Sequence, residues 1–300
     1  MARWRYDQDR LWSVGTWVIY SKYPQSNQWV MRFLMTKPSE IGYTGTTGFH
    51  HNNKKEKIDM PEIVINGPAG RLEARYSHSK APNAPLALIL HPFPDRGGTM
   101  NTKIPYMMYQ AFVAHGFSTL RFNFRGVGMS QGYFDKGEGE LADAVAALEW
   151  MQALNPNAPY VWVGGYNFGA WIGMQLLMRR PEIKGFVTVA PPAHEIDFSF
   201  LAPCPQSGLI IHGEKDAIIP EPMVEKMVGR LNLQKGIEID YRVVPDANHF
   251  FNEHTDLLIE HIHDYLNKQG AGTNAVKLQG LLNPPVVEEK PAIKARKKVA

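Results

Sequence analysis

A single cysteine, Cys204, is the whole thiol content of the 300 residues. That excludes an intramolecular disulfide. Its place between Pro203 and Pro205, with no partner thiol, points to a buried structural residue rather than a reactive one. Long hydrophobic runs are also lacking: none approaches the roughly 20 residues that a membrane-spanning helix needs. Near the N-terminus Arg3 and Arg5 are followed by Asp7, Asp9 and Arg10 instead of an apolar stretch, so no secretory signal is expected. The cytoplasm is then the expected compartment. Zinc spacing is missing too. His249, His254, His261 and His263 have no Cys partners, read as surface and helix-cap positions, and imply no metal or other cofactor. Nor does charge of one sign dominate. Residues 1–59 carry nine Lys and Arg against five Asp and Glu, and residues 271–300 carry six against two, so the middle of a chain of net charge +3 is mildly acidic. A mildly acidic globule with basic ends gives no nucleic-acid groove.

What is present is an apolar content of 44%, enough for one sizeable α/β core. Residues 1–59 stand apart from it. They hold four of the seven Trp, show no sustained period and end in a polar stretch, so low order is expected. Either they dock on a partner or membrane surface through their aromatics, or the natural start is Met60, immediately before the first clean strand pattern. The second reading is favoured. Residues 62–66 and 71–76, around Gly67-Pro68-Ala69-Gly70, predict a β-hairpin. Further strands are predicted at 86–90, 117–124, 160–164, 185–190, 208–212 and 237–244. Helices are predicted at 101–115, 138–154, 168–180, 221–233 and 253–268. Such alternation implies βαβ units and a mostly parallel sheet covered on both faces. Residues 269–300, rich in Gly, Pro, Lys and Arg, read as a disordered basic tail.

The most informative stretch is 160–180, YVWVGGYNFGAWIGMQLLMRR. A buried strand, a tight turn and a helix follow one another, with Gly165 and Gly169 two residues either side of Asn167. That is the layout of a nucleophile elbow. The central residue is held in a strained backbone conformation, and side chains at the flanking positions would collide with the neighbouring strand and helix. An amide is not a usable nucleophile, however. In a parallel sheet, functional groups belong beyond the carboxyl ends of the strands. Asp216 follows the strand at 208–212, and His249 lies in the loop after 237–244. Singly these read as a turn acid and a solvated histidine. Together with Asn167 they fall in the order nucleophile position, acid, histidine. A literal G-x-S-x-G occurs at residues 128–132, but it lacks the strand–turn–helix context, so Ser130 is read as a decoy in a structural loop. Trp171, Met174 and Leu177 follow helical spacing and read as core.

The HPFP loop with GGTMN, RFNFRGVGMSQG, GGYNFGAW, HGEKDAIIP and PDANHFF carry a resemblance. Residues 60–268 resemble the compact bacterial α/β-hydrolases related to dienelactone hydrolases and serine aminopeptidase-like esterases. The resemblance implies an α/β-hydrolase fold, with a mostly parallel twisted sheet and helices on both faces. Only 17 residues separate the strands at 185–190 and 208–212, too few for a large cap domain. It implies Asp216 as the acid that orients the imidazole, His249 as general base, and the N–H groups of Phe93 and Phe168 as an intact oxyanion hole. It places Asn167 at the nucleophile position, with His91, Tyr166 and Phe168 around the pocket. Asn167 satisfies the strained turn and is able to hydrogen-bond His249. A third option is deamidation of Asn167 to Asp, the carboxylate nucleophile of dehalogenase- and epoxide-hydrolase-like relatives. The bulk of Phe168 hinders attack of the backbone nitrogen, and the lack of a cap domain weakens the option further. The implied activity is hydrolysis of carboxylic esters or related small acyl compounds, impaired by Asn167. The alternative is a non-catalytic acyl-ligand-binding protein. The expected partner is a small-molecule acyl substrate or ligand, with no nucleic acid and no membrane span.

Overall fold

The computed structural model describes residues 18–22, 29–33 and 62–273. Most of 1–59 and all of 274–300, where low order was expected, lie outside the described residues. Within the first unit, β1 (Val18–Lys22) and β2 (Trp29–Phe33) pair antiparallel, Val18 opposite Phe33. No strand is foreseen there from periodicity. Their β-branched and aromatic residues favour pairing without strict alternation.

The second unit is built on an eight-stranded sheet. In chain order its strands are β3 (Glu62–Gly67), β4 (Gly70–Ser77), β5 (Leu86–Leu90), β6 (Ser118–Phe122), β7 (Val161–Tyr166), β8 (Ile183–Val189), β9 (Gly208–Gly213) and β10 (Ile239–Val244). In space the order is β10-β9-β8-β7-β5-β6-β4-β3. The strands from β10 to β6 run parallel, and β4 and β3 add an antiparallel hairpin at one edge. The sequence explains the layering. Strands β5, β6, β7 and β9 are buried at every position, as strands covered on both faces must be. Edge strand β3 buries only Ile65 fully. The helices are α1 (Lys103–Ala114), α2 (Glu138–Leu154), α3 (Phe168–Leu177), α4 (Glu221–Asn232) and α5 (Thr255–Lys268). Helix α1 packs with α5 and α2 with α3, giving two helical layers about the sheet. Among the described residues no helix is long and apolar enough to cross a membrane.

From β5 the chain goes first to one side (β6) and then returns to the other (β7). This reversal opens a crevice at the carboxyl ends of β5 and β7, where such sheets bind ligands. Between β8 and β9 there is one short 3-10 turn, Ser199–Leu201, and no cap domain. The core also extends past α5. Ala271 is buried, the Gly272 N–H donates to the Tyr160 hydroxyl (3.2 Å), and the Thr273 hydroxyl donates to the Gly116 carbonyl (3.2 Å). The packed unit therefore includes residues 271–273, because Ala271 supplies apolar burial that a Gly- and Ala-rich composition hides.

Candidate active site

The elbow is tight because its glycines leave no alternative. A Cβ on Gly169 would lie 2.3 Å from the Leu90 carbonyl oxygen of the adjoining strand, and one on Gly165 would lie 2.4 Å from the Gly169 oxygen. Between them Asn167 has φ 54° and ψ −116°, a left-handed conformation that few residues other than glycine tolerate. The elbow turn leaves β7, is tied to β8 by a hydrogen bond from the Asn167 N–H to the Val189 carbonyl (2.9 Å), and opens α3 by one from the Ala170 N–H to the Asn167 carbonyl (2.9 Å).

Two loops bring the other members to it. Asp216 follows β9 and is buried. Its Oδ1 accepts from the N–H groups of Ile218 and Ile219, both at 2.8 Å, which leaves Oδ2 to face His249 Nδ1 at 2.7 Å. Burial pushes this carboxyl up. The hydrogen bonds from His249, Ile219 and Ile218 outweigh it and hold the acid below its usual range. With Nδ1–H donating to Asp216, His249 Nε2 presents its lone pair to Asn167, with Nδ2 3.4 Å away. The Tyr166 hydroxyl donates to the His249 carbonyl (3.1 Å) and pins the histidine loop. Beneath the pair lies His212, fully buried, with Nε2 2.9 Å from the Ile219 carbonyl and 3.7 Å from Asp216 Oδ2. Burial lowers its pKa, so a neutral ring supports the acid.

The Phe168 N–H, expected as an oxyanion donor, has a partner within the chain. The Phe168 N–H donates to Asn167 Oδ1 at 2.8 Å. The amide thus spans the gap between the Phe168 N–H and His249 Nε2. Only this orientation matches donors to acceptors, since Phe168 N–H can only donate. Phe93 lines the cleft with its ring 4.8 Å from that of Phe168.

His91 is a correction. It is fully buried and absent from the cleft: Nε2 accepts from the Phe124 N–H (3.0 Å), which places the proton on Nδ1 for the Pro92 carbonyl (2.7 Å). Both nitrogens hold the HPFP loop, and burial lowers the ring's pKa to about 4. The Phe168 side chain is likewise no lining residue. It is buried among Phe93, Phe124, Phe134 and Trp171. Ser130 lies outside the cleft, its hydroxyl donating to the Asn123 carbonyl (2.7 Å) and accepting from the Glu73 N–H (2.9 Å). His263 is half-buried, its Nδ1 2.9 Å from His115 Nε2. Cys204 is buried, its thiol donating to the Gln206 carbonyl (3.3 Å).

A cleft of about 250 Å³ opens over Asn167 and His249. Beyond Phe93 and Tyr166 it is lined by Arg96, Thr102, Ile218 and Phe250, none of them singled out from sequence. Their only signal is position: Arg96, Ile218 and Phe250 each lie a few residues past a strand end, and Thr102 stands at the start of α1. Arg96 lies over the Phe93 ring (4.1 Å) and pairs through both terminal nitrogens with Glu195 (3.0 and 2.9 Å) from the β8–β9 loop, which neutralises the cleft mouth.

The chain has relatives. A family model for the alpha/beta hydrolase fold matches residues 86–206, and one for the prolyl oligopeptidase family matches residues 189–271. An uncharacterized protein of Rickettsia prowazekii (strain Madrid E) is 51% identical over 211 residues, which cover 69% of this chain and 89% of that protein. The crystal structure of a protein of unknown function from Agrobacterium tumefaciens is 57% identical, covers 70% of this chain and 96% of its own, and superposes with a TM-score of 0.69. An alpha-beta serine hydrolase homologue from Coxiella burnetii is 32% identical, with 67% and 95% covered and a TM-score of 0.63. With the reversal at β5, the glycine-flanked elbow and the Asp216–His249 pair, these similarities make the chain a member of the α/β hydrolase fold family.

Proposed function

We propose that this chain is an ester-hydrolase scaffold of the serine-hydrolase type, acting in the cytoplasm on small carboxylic esters or related acyl compounds, with the nucleophile position closed by Asn167. One observation carries the reading: the Asn167 amide lies between the Phe168 N–H and His249 Nε2, where a substrate carbonyl and a nucleophile would have to be. The Asp216–His249 pair beside it is kept at 2.7 Å. Loss of one triad member leaves about 10³–10⁴-fold over water. Occupation of one oxyanion donor removes roughly a further 10²–10³. Turnover by the chain is therefore far below that of a complete triad.

The size and apolar lining of the cleft, with Phe93, Ile218 and Phe250, favour a second reading: binding of a small acyl ligand without turnover. A fluorophosphonate probe tests the first. The chain itself should remain unlabelled, Asn167→Ser should be labelled at residue 167, and that label should vanish when His249→Ala is added. Labelling of Ser130 in the unaltered chain would overturn the assignment.

A further inference from the structure

We propose that Asn167 is itself a substrate of this site, hydrolysed in place to aspartate by the Asp216–His249 pair. The inference rests on the elbow reading above and goes beyond it. An amide-cleaving centre needs an oxygen in a hydrogen-bonded hole, a leaving nitrogen beside an acid–base group, and room for water on the exposed side of the carbonyl. The Asn167 side chain meets each condition. Its Oδ1 is held by the Phe168 N–H at 2.8 Å, and its Nδ2 lies 3.4 Å from His249 Nε2. His249 is oriented in turn by Asp216 at 2.7 Å. Asn167 and His249 together line the cleft of about 250 Å³, which is large enough to admit water.

The step balances without a further reactant. His249 Nε2 takes a proton from a cleft water as the water oxygen bonds to Cγ. The charge gathers on Oδ1, where the Phe168 N–H receives it. His249 passes the proton to Nδ2, the Cγ–Nδ2 bond breaks and ammonia leaves. Amide and water become a carboxylic acid and ammonia, which exchange a proton to give carboxylate and ammonium. Ring closure by the Phe168 nitrogen is the competing route. It would consume the N–H that serves the hole and would distort the first residue of α3, whose ring is packed among Phe93, Phe124, Phe134 and Trp171. The product places at the elbow a carboxylate able to form covalent ester intermediates, which the amide cannot do.

The test is peptide mapping by mass spectrometry of the full chain, freshly purified and after incubation at neutral pH. The expected result is conversion of residue 167 to aspartate, with no isoaspartate, slowed about 100-fold or more in His249→Gln. Asp216→Asn, which keeps the shape of the acid, should slow it as well and serves if His249→Gln does not fold. Persistence of Asn167, conversion at an equal rate in both variants, or a mixture containing isoaspartate would each overturn the proposal. The elbow reading is judged separately: probe labelling of Asn167→Ser stands or falls whatever happens to the amide.

Discussion

Replacing Asn167 with Ser should move activity and stability in opposite directions. The activity side follows from what is already in place. Asp216 and His249 are buried and 2.7 Å apart, and the imidazole lone pair points at residue 167. On the proposed reading only a nucleophile is missing, together with the Phe168 N–H that Asn167 Oδ1 now occupies. A complete triad exceeds its crippled forms by up to ~10⁶ in kcat. A freed oxyanion donor adds roughly 10²–10³. Allowing for an uncapped cleft that does little to exclude water, the gain in kcat/KM on a short-chain chromogenic ester should be at least about 10³-fold. The stability side comes from one hydrogen bond. The change removes the amide's bond to the first residue of α3. The cost is about 0.5–1.5 kcal/mol. For a domain of this size that lowers Tm by about 2–4 °C per kcal/mol. Initial rates and thermal melts on the same preparations read both effects. A folded Ser variant that turns over no ester would refute the base and hole assignments. One that melts higher than the parent would refute the stabilising role given to the amide.

Three other substitutions and one titration test the remaining geometry. Ser130→Ala breaks hydrogen bonds to Asn123 and Glu73 and should cost about 1–3 kcal/mol, while leaving probe labelling of Asn167→Ser intact; lost labelling would make Ser130 part of the chemistry. Asp143→Ala strands Arg125, whose main-chain N–H, Nε and Nη2 all donate to that buried carboxylate, and urea unfolding should show a loss of about 3–5 kcal/mol. Gly169→Ala sets a methyl 2.3 Å from the Leu90 oxygen and should abolish soluble expression; a well-folded variant would contradict the elbow's packing. His91 and His115 are buried and neutral, each with its pKa lowered from 6.5 to about 4 by burial. Between those values the unfolded chain binds protons that the folded chain does not. Stability should therefore fall as pH drops from 6.5 toward 4, by up to about 3 kcal/mol per histidine. A urea midpoint that stays flat across this window would refute it.

The strand and helix succession was legible because buried parallel strands leave continuous apolar runs and their ends carry glycine and proline. The run at β5 and the Gly165–Gly169 pair are examples. Order along the chain also sufficed to bring Asn167, Asp216 and His249 together. What was illegible is direction. His91 adjoins the cleft loop in sequence, yet its ring turns inward to bond Phe124 and Pro92. The hole looked intact because its N–H groups can be counted from sequence, whereas the rotamer that puts Asn167 Oδ1 on one of them cannot. Arg96, Ile218 and Phe250 reach the cleft from three separate loops, a convergence no local pattern encodes. Ala271 anchors the chain beyond α5 through burial that a five-residue stretch of small residues does not announce.

The strained elbow also bears on how this site can change over generations. The glycine collisions explain why residue 167 keeps φ 54° and ψ −116°, because packing of β5 against α3 enforces the turn whatever side chain sits there. The scaffold is thus preserved by folding alone. A single base substitution turns an asparagine codon into one for serine, and another turns it into one for aspartate. Three chemistries lie one mutational step apart on a backbone that need not move. The contacts that fix the turn are therefore independent of which of these three side chains occupies it.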